Sequence, residues 1–429
     1  MDSVFKAAEI LLPAETVPLQ TWPTLACDQF TSQPEYWQKA EALCEQVPST
    51  LHITLPEAYL TDANVATRIA KIHETMHIYA ENVLTKTICG FIYVERKTQS
   101  GVRQGLVGAV DLEAYSYEKS AALPIRPSEN TVVERIPPRL AVRRDALLEA
   151  PHILMMLDDA AHTVLEPLGV QAHAEALTQL YATDLMLGGG QITGWAVTDA
   201  AQIAAIEAQI AAFAAQDAFD ARYPAAKGTP PIALAVGDGN HSLATAKAYW
   251  EEIKVTLSPQ AQRTHPARFA LAELVNVHSD AIQIEPIHRA VFGTDSDSFS
   301  SAFTAWLLAK KAQLFDKKSA EQTFTLVGTH DENFAVSAPP CPLAVGTLEA
   351  FLADFCAEHP AVTVDYIHDE AALRTICRAP NTVGVLLPPF AKSDLFRGVV
   401  LGGVLPKKTF SMGTATEKRY YLECRKISL

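Results

Sequence analysis

A chain of 429 residues, 48% hydrophobic and 20% charged with a mean hydropathy of +0.06, holds enough apolar material for more than one buried core and is not the composition of a largely disordered protein. Its 35 basic and 49 acidic residues give a formal charge of −14, a field that repels nucleic acid and anionic membrane. Neither is expected as a partner, and an anionic ligand needs a local basic site.

The start, MDSVFKAAEILLPAETVPLQ, lacks the basic segment and long apolar core of a signal peptide, and no stretch approaches the roughly eighteen apolar residues of a membrane span. A cytoplasmic location is therefore expected. Seven scattered cysteines with no C-x-x-C pair read as reduced thiols, and Cys27 in TLACDQF reads as a small core residue.

In chain order, residues 63–84 keep apolar positions at helical spacing, and TKTICGFIYVERK and GLVGAVDLEAY read as a β-hairpin turning in TQSGVRQ. The texture then becomes rich in proline and arginine, which places a boundary near 116. HILMMLDD reads equally as helix or strand, and the alanine-rich 199–223 predicts one long surface helix.

IALAV predicts a buried strand before the turn GDGNHS, with Leu243, Ala246, Trp250 and Ile253 on one face of the following helix. RFALAELVNVHSD and AIQIEPIHRAVF are β-rich, and GTDSDSFSSAF punctuates the chain near 295. TFTLVG, VTVDYIHD, TVGVLLPPF and KRYYLECRKISL predict a last unit of strands between helices. The fold class expected is multidomain α/β, with units at 1–116, 117–295 and 296–429.

The strand-to-helix turn is the strongest candidate site. A helix N-terminus presents unpaired N–H groups and partial positive charge, so it receives phosphate or carboxylate readily. Gly237 and Gly239 permit close backbone approach, and Asn240 or Ser242 can cap the helix. Asp238 beside a bound phosphate calls for a magnesium ion or a hydroxyl nucleophile between them, and His241 can donate to phosphate oxygens or share the acid–base work. The Walker loop and the complete dinucleotide fingerprint are both absent. Equally, Asp, Asn and Ser here form an ordinary turn and helix cap.

With this VGDGNHS box, RPSENTVVERIPPR, NVHSDAIQIEPIHR and PKKTFSMG, the chain resembles the family called domain of unknown function 1015. The resemblance implies distant likeness to the ParB and sulfiredoxin-like fold, which includes free-serine kinases, for the central unit. It implies phosphotransfer between a nucleotide (ATP or ADP) and serine or phosphoserine with magnesium, Glu129 and Asp238 acting on the hydroxyl and Asp238 holding the metal. Asn240 stands where the family has histidine, Ser242 where it has arginine, and Ser128 where a histidine precedes the glutamate.

Five arginines (Arg126, Arg135, Arg139, Arg143 and Arg144) crowd an otherwise acidic chain, and Arg126, Arg135 and Arg139 are the expected phosphate clamps. Lys407, Lys408 and Ser411 lie in a second candidate loop. His278, Asp280, His288 and the HDE at 368–370 have no zinc-site spacing. Three functions remain open: a phosphotransferase acting on a small hydroxylated metabolite, a nucleotide-responsive binding protein, and a metal-dependent phosphoserine hydrolase. The partner expected is a small phosphorylated metabolite or nucleotide, and the sequence sets no oligomeric state.

Overall fold

The computed structural model describes residues 3–31, 33–118, 123–150, 152–314, 318–328, 330–367, 369–389, 392–403, 405 and 409–428. They fall into two units with separate cores, Met1–Ile282 with Gly413–Leu429, and Gln283–Met412. The expected α/β class is observed. Among the described residues no helix is long and apolar enough to cross a membrane.

In the first unit β1 (Phe5–Lys6), β2 (Ala8–Leu12) and β3 (Thr24–Leu25) lead into α1 (Pro34–Cys44) and α2 (Val65–Asn82). α2 occupies the periodic stretch and buries Ile72, Met76 and Tyr79 along one face. The hairpin of β4 (Lys86–Thr98) and β5 (Gly101–Asp111) turns more tightly than TQSGVRQ suggests. Thr98 pairs with Gly101, so only Gln99 and Ser100 form the loop.

Next come β6 (Ile125–Pro127), α3 (Ile136–Arg143), β7 (Leu148–Glu149), β8 (Leu154–Leu157), α4 (Glu166–His173), β9 (Thr178–Asp184) and β10 (Gln191–Val197). The ambiguous HILMMLDD is therefore a strand. The single helix expected over 199–223 is two, α5 (Ala200–Phe213) and α6 (Gln216–Arg222), because Ala215 is extended at φ −70°, ψ 133°. The break buries Phe219 and lets the Arg222 guanidinium donate to the Phe213 carbonyl. Alanine propensity says nothing about where a chain must bend.

The segment ends with β11 (Leu234–Asp238), α7 (Asn240–Lys254), α8 (Pro259–Thr264) and β12 (Phe269–Asn276). One mixed sheet runs β6-β11-β8-β12-β5-β4-β10-β9, with β1 on β5 and β2 on β4. Ile92, Val94, Val107 and Leu271 face a core shared with α1 and α2. Phe91, Tyr93, Leu106 and Leu274 face a second core shared with α4, α5 and α7. Covered on both sides, the central strands read as continuous apolar runs. The change of texture near 116 thus falls between strands of one sheet, while that near 295 lies close to the division after Ile282.

The second unit contains β13 (Ile284–Pro286), β14 (His288–Phe292), α9 (Ser296–Ala309), β15 (Gln313–Leu314), β16 (Gln322–Val327), β17 (Glu332–Ser337), α10 (Ala344–Glu358), β18 (Thr363–Ile367), α11 (Glu370–Ile376), β19 (Thr382–Leu386), α12 (Lys392–Gly402) and β20 (Phe410–Met412). Six strands form an antiparallel sheet in the order β15-β17-β16-β19-β14-β18. Phe299 and Phe303 of α9 meet Phe351 of α10 to centre its core, with ring centroids 5.3 and 4.8 Å apart.

KRYYLECRKISL, expected in the last unit, belongs to the first. β21 (Tyr420–Tyr421) pairs with β3, and β22 (Arg425–Lys426) pairs with β7. Buried charge decides this. Glu273, on central β12 and 1% exposed, accepts from Arg419 Nε at 2.8 Å and lies 3.5 Å from Arg103 Nε. Arg419 also donates to Glu423 at 2.7 Å, and Arg96 and Arg103 donate to backbone carbonyls of residues 416–418. Alternating strand pattern alone cannot reveal such a partner across the chain.

Removing one member of a buried ion pair strands the other. Arg419→Met is expected to cost about 3–5 kcal/mol of unfolding free energy, measured by urea denaturation at neutral pH. A loss below about 1 kcal/mol would show that the pair behaves as a solvated one.

Candidate functional site

β6 and β11 run parallel, Pro127 opposite Val236, so their carboxyl ends open side by side. In α/β sheets ligands favour the crevice at such ends. The loop after β6 and the turn after β11 touch: Asn240 Nδ2 lies 3.5 Å from Ser128 Oγ, and Val132 N donates to His241 Nε2 at 3.2 Å. Glu129 lies in that loop, next to Ser128. Accepting at Nε2 leaves the proton of a neutral His241 on Nδ1.

The two glycines have different local roles. At Gly237 the β11–β8 register shifts between Val236 and Asp238, a bulge of the kind that re-aims the side chain beside it. Gly239 is the N-cap of α7 at φ 79°, ψ 27°, and a Cβ there would lie 3.1 Å from Ile153 Cα. Both backbone conformation and space require glycine. Asn240 and Ser242, expected as possible caps, lie inside the helix instead, and a glycine N-cap has no side chain to occupy the first-turn amides.

Asp238 accepts from Gly239 N at 3.0 Å through Oδ1, and Lys418 Nζ lies 3.3 Å from Oδ2. That contact is ionic without hydrogen-bond alignment. Oδ2 consequently joins Asn130 Oδ1 and Asn240 Oδ1 as buried oxygens lacking a hydrogen-bond partner. Oxygen atoms of this kind suit magnesium, which binds few protein groups and completes its shell with water and phosphate. Among the described residues no group of three or more His, Cys, Asp or Glu side chains could hold a metal ion.

Behind the first turn of α7 stands His152, 4% exposed. Its Nε2 is 3.0 Å from Ser242 Oγ and 3.6 Å from Asp28 Oδ2, and its Nδ1 is 2.7 Å from Tyr421 Oη. Asp28 and Ser242 share one ring nitrogen, so the three do not form a linear relay. Burial alone would raise the Asp28 carboxyl, but His152, Gln29 and Lys418 hold it well below the usual carboxylate range. Burial likewise opposes charge on His152, and Asp28, Asp238 and Glu57 outweigh it, so the imidazole pKa is raised. Burial, with Asp28 and Glu57 nearby, pushes the half-buried Cys27 thiol far up.

Of the arginines expected to clamp phosphate, Arg126 and Arg139 have partners within the protein. Arg126 donates to the Leu123 and Pro230 carbonyls, at 3.1 and 2.6 Å. Arg139 pairs with Glu57 and donates to the Arg135 carbonyl, while Arg135 itself is exposed. Arg143 pairs with Glu149, and Arg144 with Glu252. Lys407, Lys408 and His368 lie outside the described residues. His278 contacts Asp158 at 2.6 Å in the first unit, and His288 Nδ1 accepts from Leu387 N in the second.

Asp28, His152, Lys418 and Tyr421 escape sequence reasoning. Each sits in a stretch read for something else, a cysteine, an ambiguous apolar run or a terminal strand, and only folding brings them to α7.

A family model described as "Protein of unknown function (DUF1015)" matches residues 8–359. No curated protein matches the chain. Among solved structures, a free serine kinase in complex with AMP is 11% identical with a TM-score of 0.38, covering 74% of this chain and 91% of that one. SbnI with a C-terminal truncation, from Staphylococcus aureus, is 10% identical with a TM-score of 0.36, covering 72% and 83%. A conserved hypothetical protein from Pyrococcus furiosus is 13% identical with a TM-score of 0.28, covering 50% and 86%. Likenesses this low carry no argument about activity.

Two measurements test the geometry. Gly239→Ala, forced to φ 79° against Ile153, is expected to lose about 1–3 kcal/mol in urea denaturation; an unchanged midpoint would contradict the left-handed cap. The second concerns pH. His152, raised in the folded state, contributes stability fully present below about pH 6.5 and lost as pH rises through its raised pKa. The stability gap between the native protein and His152→Gln is expected to shrink across that rise, and a gap constant with pH would contradict the pairing.

Proposed function

Because the chain belongs to the family described as protein of unknown function (DUF1015), which names no reaction, we propose its activity from the site: phosphoryl transfer to or from the hydroxyl of a small metabolite, with a nucleotide as second substrate. The observation that carries this reading is Asp238 immediately before a helix whose N-cap is a left-handed glycine. A ligand phosphate is received by the first-turn amides of α7, with Asn240 and Ser242 flanking it. Asp238, at the end of β11, and Glu129, in the loop after the neighbouring parallel strand β6, supply the carboxylates that orient and deprotonate a hydroxyl.

Lys418 offsets the negative charge that Asp238 would otherwise set against the phosphate. His241, through its Nδ1 proton, donates to a phosphate oxygen. Asp238 is the group that would hold magnesium, with water and phosphate completing the ion's shell. When bound, that ion neutralises phosphate charge. Serine with ATP, or phosphoserine with ADP, is the first substrate pair to test.

A second reading, nucleotide binding without fast chemistry, is favoured by the Lys418–Asp238 pair, since a lysine already opposite the carboxylate competes with metal and hydroxyl alike. Phosphorus NMR separates the readings. The full chain is incubated with magnesium and serine plus ATP, then phosphoserine plus ADP, then phosphoserine alone. Phosphoryl transfer in the first two, reduced by about 10²–10⁴-fold in Asp238→Asn, is the expected result. Turnover only of phosphoserine alone identifies a hydrolase. Nucleotide binding without turnover, surviving Asp238→Ala, identifies the binding protein.

A further inference from the structure

A cavity of about 150 Å³ lies against the first turn of α7, with Ser242, His152 and Ile153 in its wall. Gly239, at the start of the same helix, also packs against His152 and Ile153. A cavity this size with an apolar lining is known to admit one benzene molecule.

Its wall is chiefly apolar, built from side chains such as Ile53, Leu55, Met76, Val142 and Leu148. The charged groups in the wall are matched inside the protein: Arg139 by Glu57, Arg143 by Glu149, and His152 by Asp28. A charged substituent would have to break one of these pairs or be desolvated without a partner. An uncharged group of ring size instead replaces water against apolar surface.

We propose that this cavity is the substrate-body subsite: it takes an uncharged single ring, or a branched alkyl group of that size, from a molecule whose phosphate or hydroxyl end lies at the start of α7. The proposal rests on the phosphate-binding reading for the position of that end. It also widens the substrate class beyond serine, the first compound to test, to phosphate monoesters of aryl or branched alkyl alcohols, whose bodies match the apolar wall. Ser242, shared by the helix turn and the cavity wall, marks the junction between body and phosphate.

Isothermal titration of the full chain with inorganic phosphate, phosphoserine, phenyl phosphate and phenol tests this. Phenyl phosphate is expected to bind about tenfold or more tighter than inorganic phosphate, with no such gain for phosphoserine. Ala146→Phe, which fills the cavity, is expected to remove the gain and leave inorganic phosphate affinity unchanged. Ala150→Leu provides a second filling substitution should the larger ring prevent folding, and the thermal transition of each variant reports its folding. Equal binding of phenyl phosphate and inorganic phosphate, or a gain that survives in a folded filled variant, overturns the proposal. Phenol binding that Ala146→Phe abolishes, without binding of either phosphate, would support the subsite while overturning the phosphate reading.

Discussion

Glu273 sits in the middle of the first unit's sheet and cannot be left unpaired, because a carboxylate taken out of water costs several kcal/mol unless a cation meets it. Arg103 comes from neighbouring β5, and Arg419 comes from the far end of the chain. Arg419 makes the shorter contact and hydrogen-bonds the carboxylate, and with it residues 413–429 return to the first unit. The pairings of β21 with β3 and β22 with β7 run along the same return path. Ordering so long a detour costs conformational entropy, and the buried guanidinium contacts of Arg96, Arg103 and Arg419 offset it.

The candidate site inherits this constraint. Lys418 precedes Arg419, and Tyr421 follows two residues later, so fixing one guanidinium delivers an ammonium group to Asp238 and a hydroxyl to His152. Two carboxylate–cation pairs, Asp238 with Lys418 and Asp28 with His152, then lie close to one another at the first turn of α7. Without them the turn would present two carboxylates to an incoming anion. With them, each of the two carboxylates is met by a basic group beside the start of α7.

Much of this was legible in the sequence where local rules govern. The 3.6-residue spacing of Ile72, Met76 and Tyr79 marked α2, and the apolar run before GDGNHS marked β11 and α7. The left-handed Gly239 is a local necessity, so the turn was visible as a turn. The arginines show where local rules stop. Their density in the sequence says that cations are present, but not that Glu57, Glu149 and Glu252 stand opposite them.

The sequence by itself determined the α/β class, the family and the strand–turn–helix around Asp238, because periodicity and turn chemistry act between residues close together along the chain. Only the tertiary structure decided that the terminal segment belongs to the first sheet, that His152 rather than an arginine stands behind Ser242, and that an apolar cavity adjoins them. Those features depend on charges and surfaces far apart along the chain meeting in a medium of low dielectric, where an unmatched group is too costly to persist.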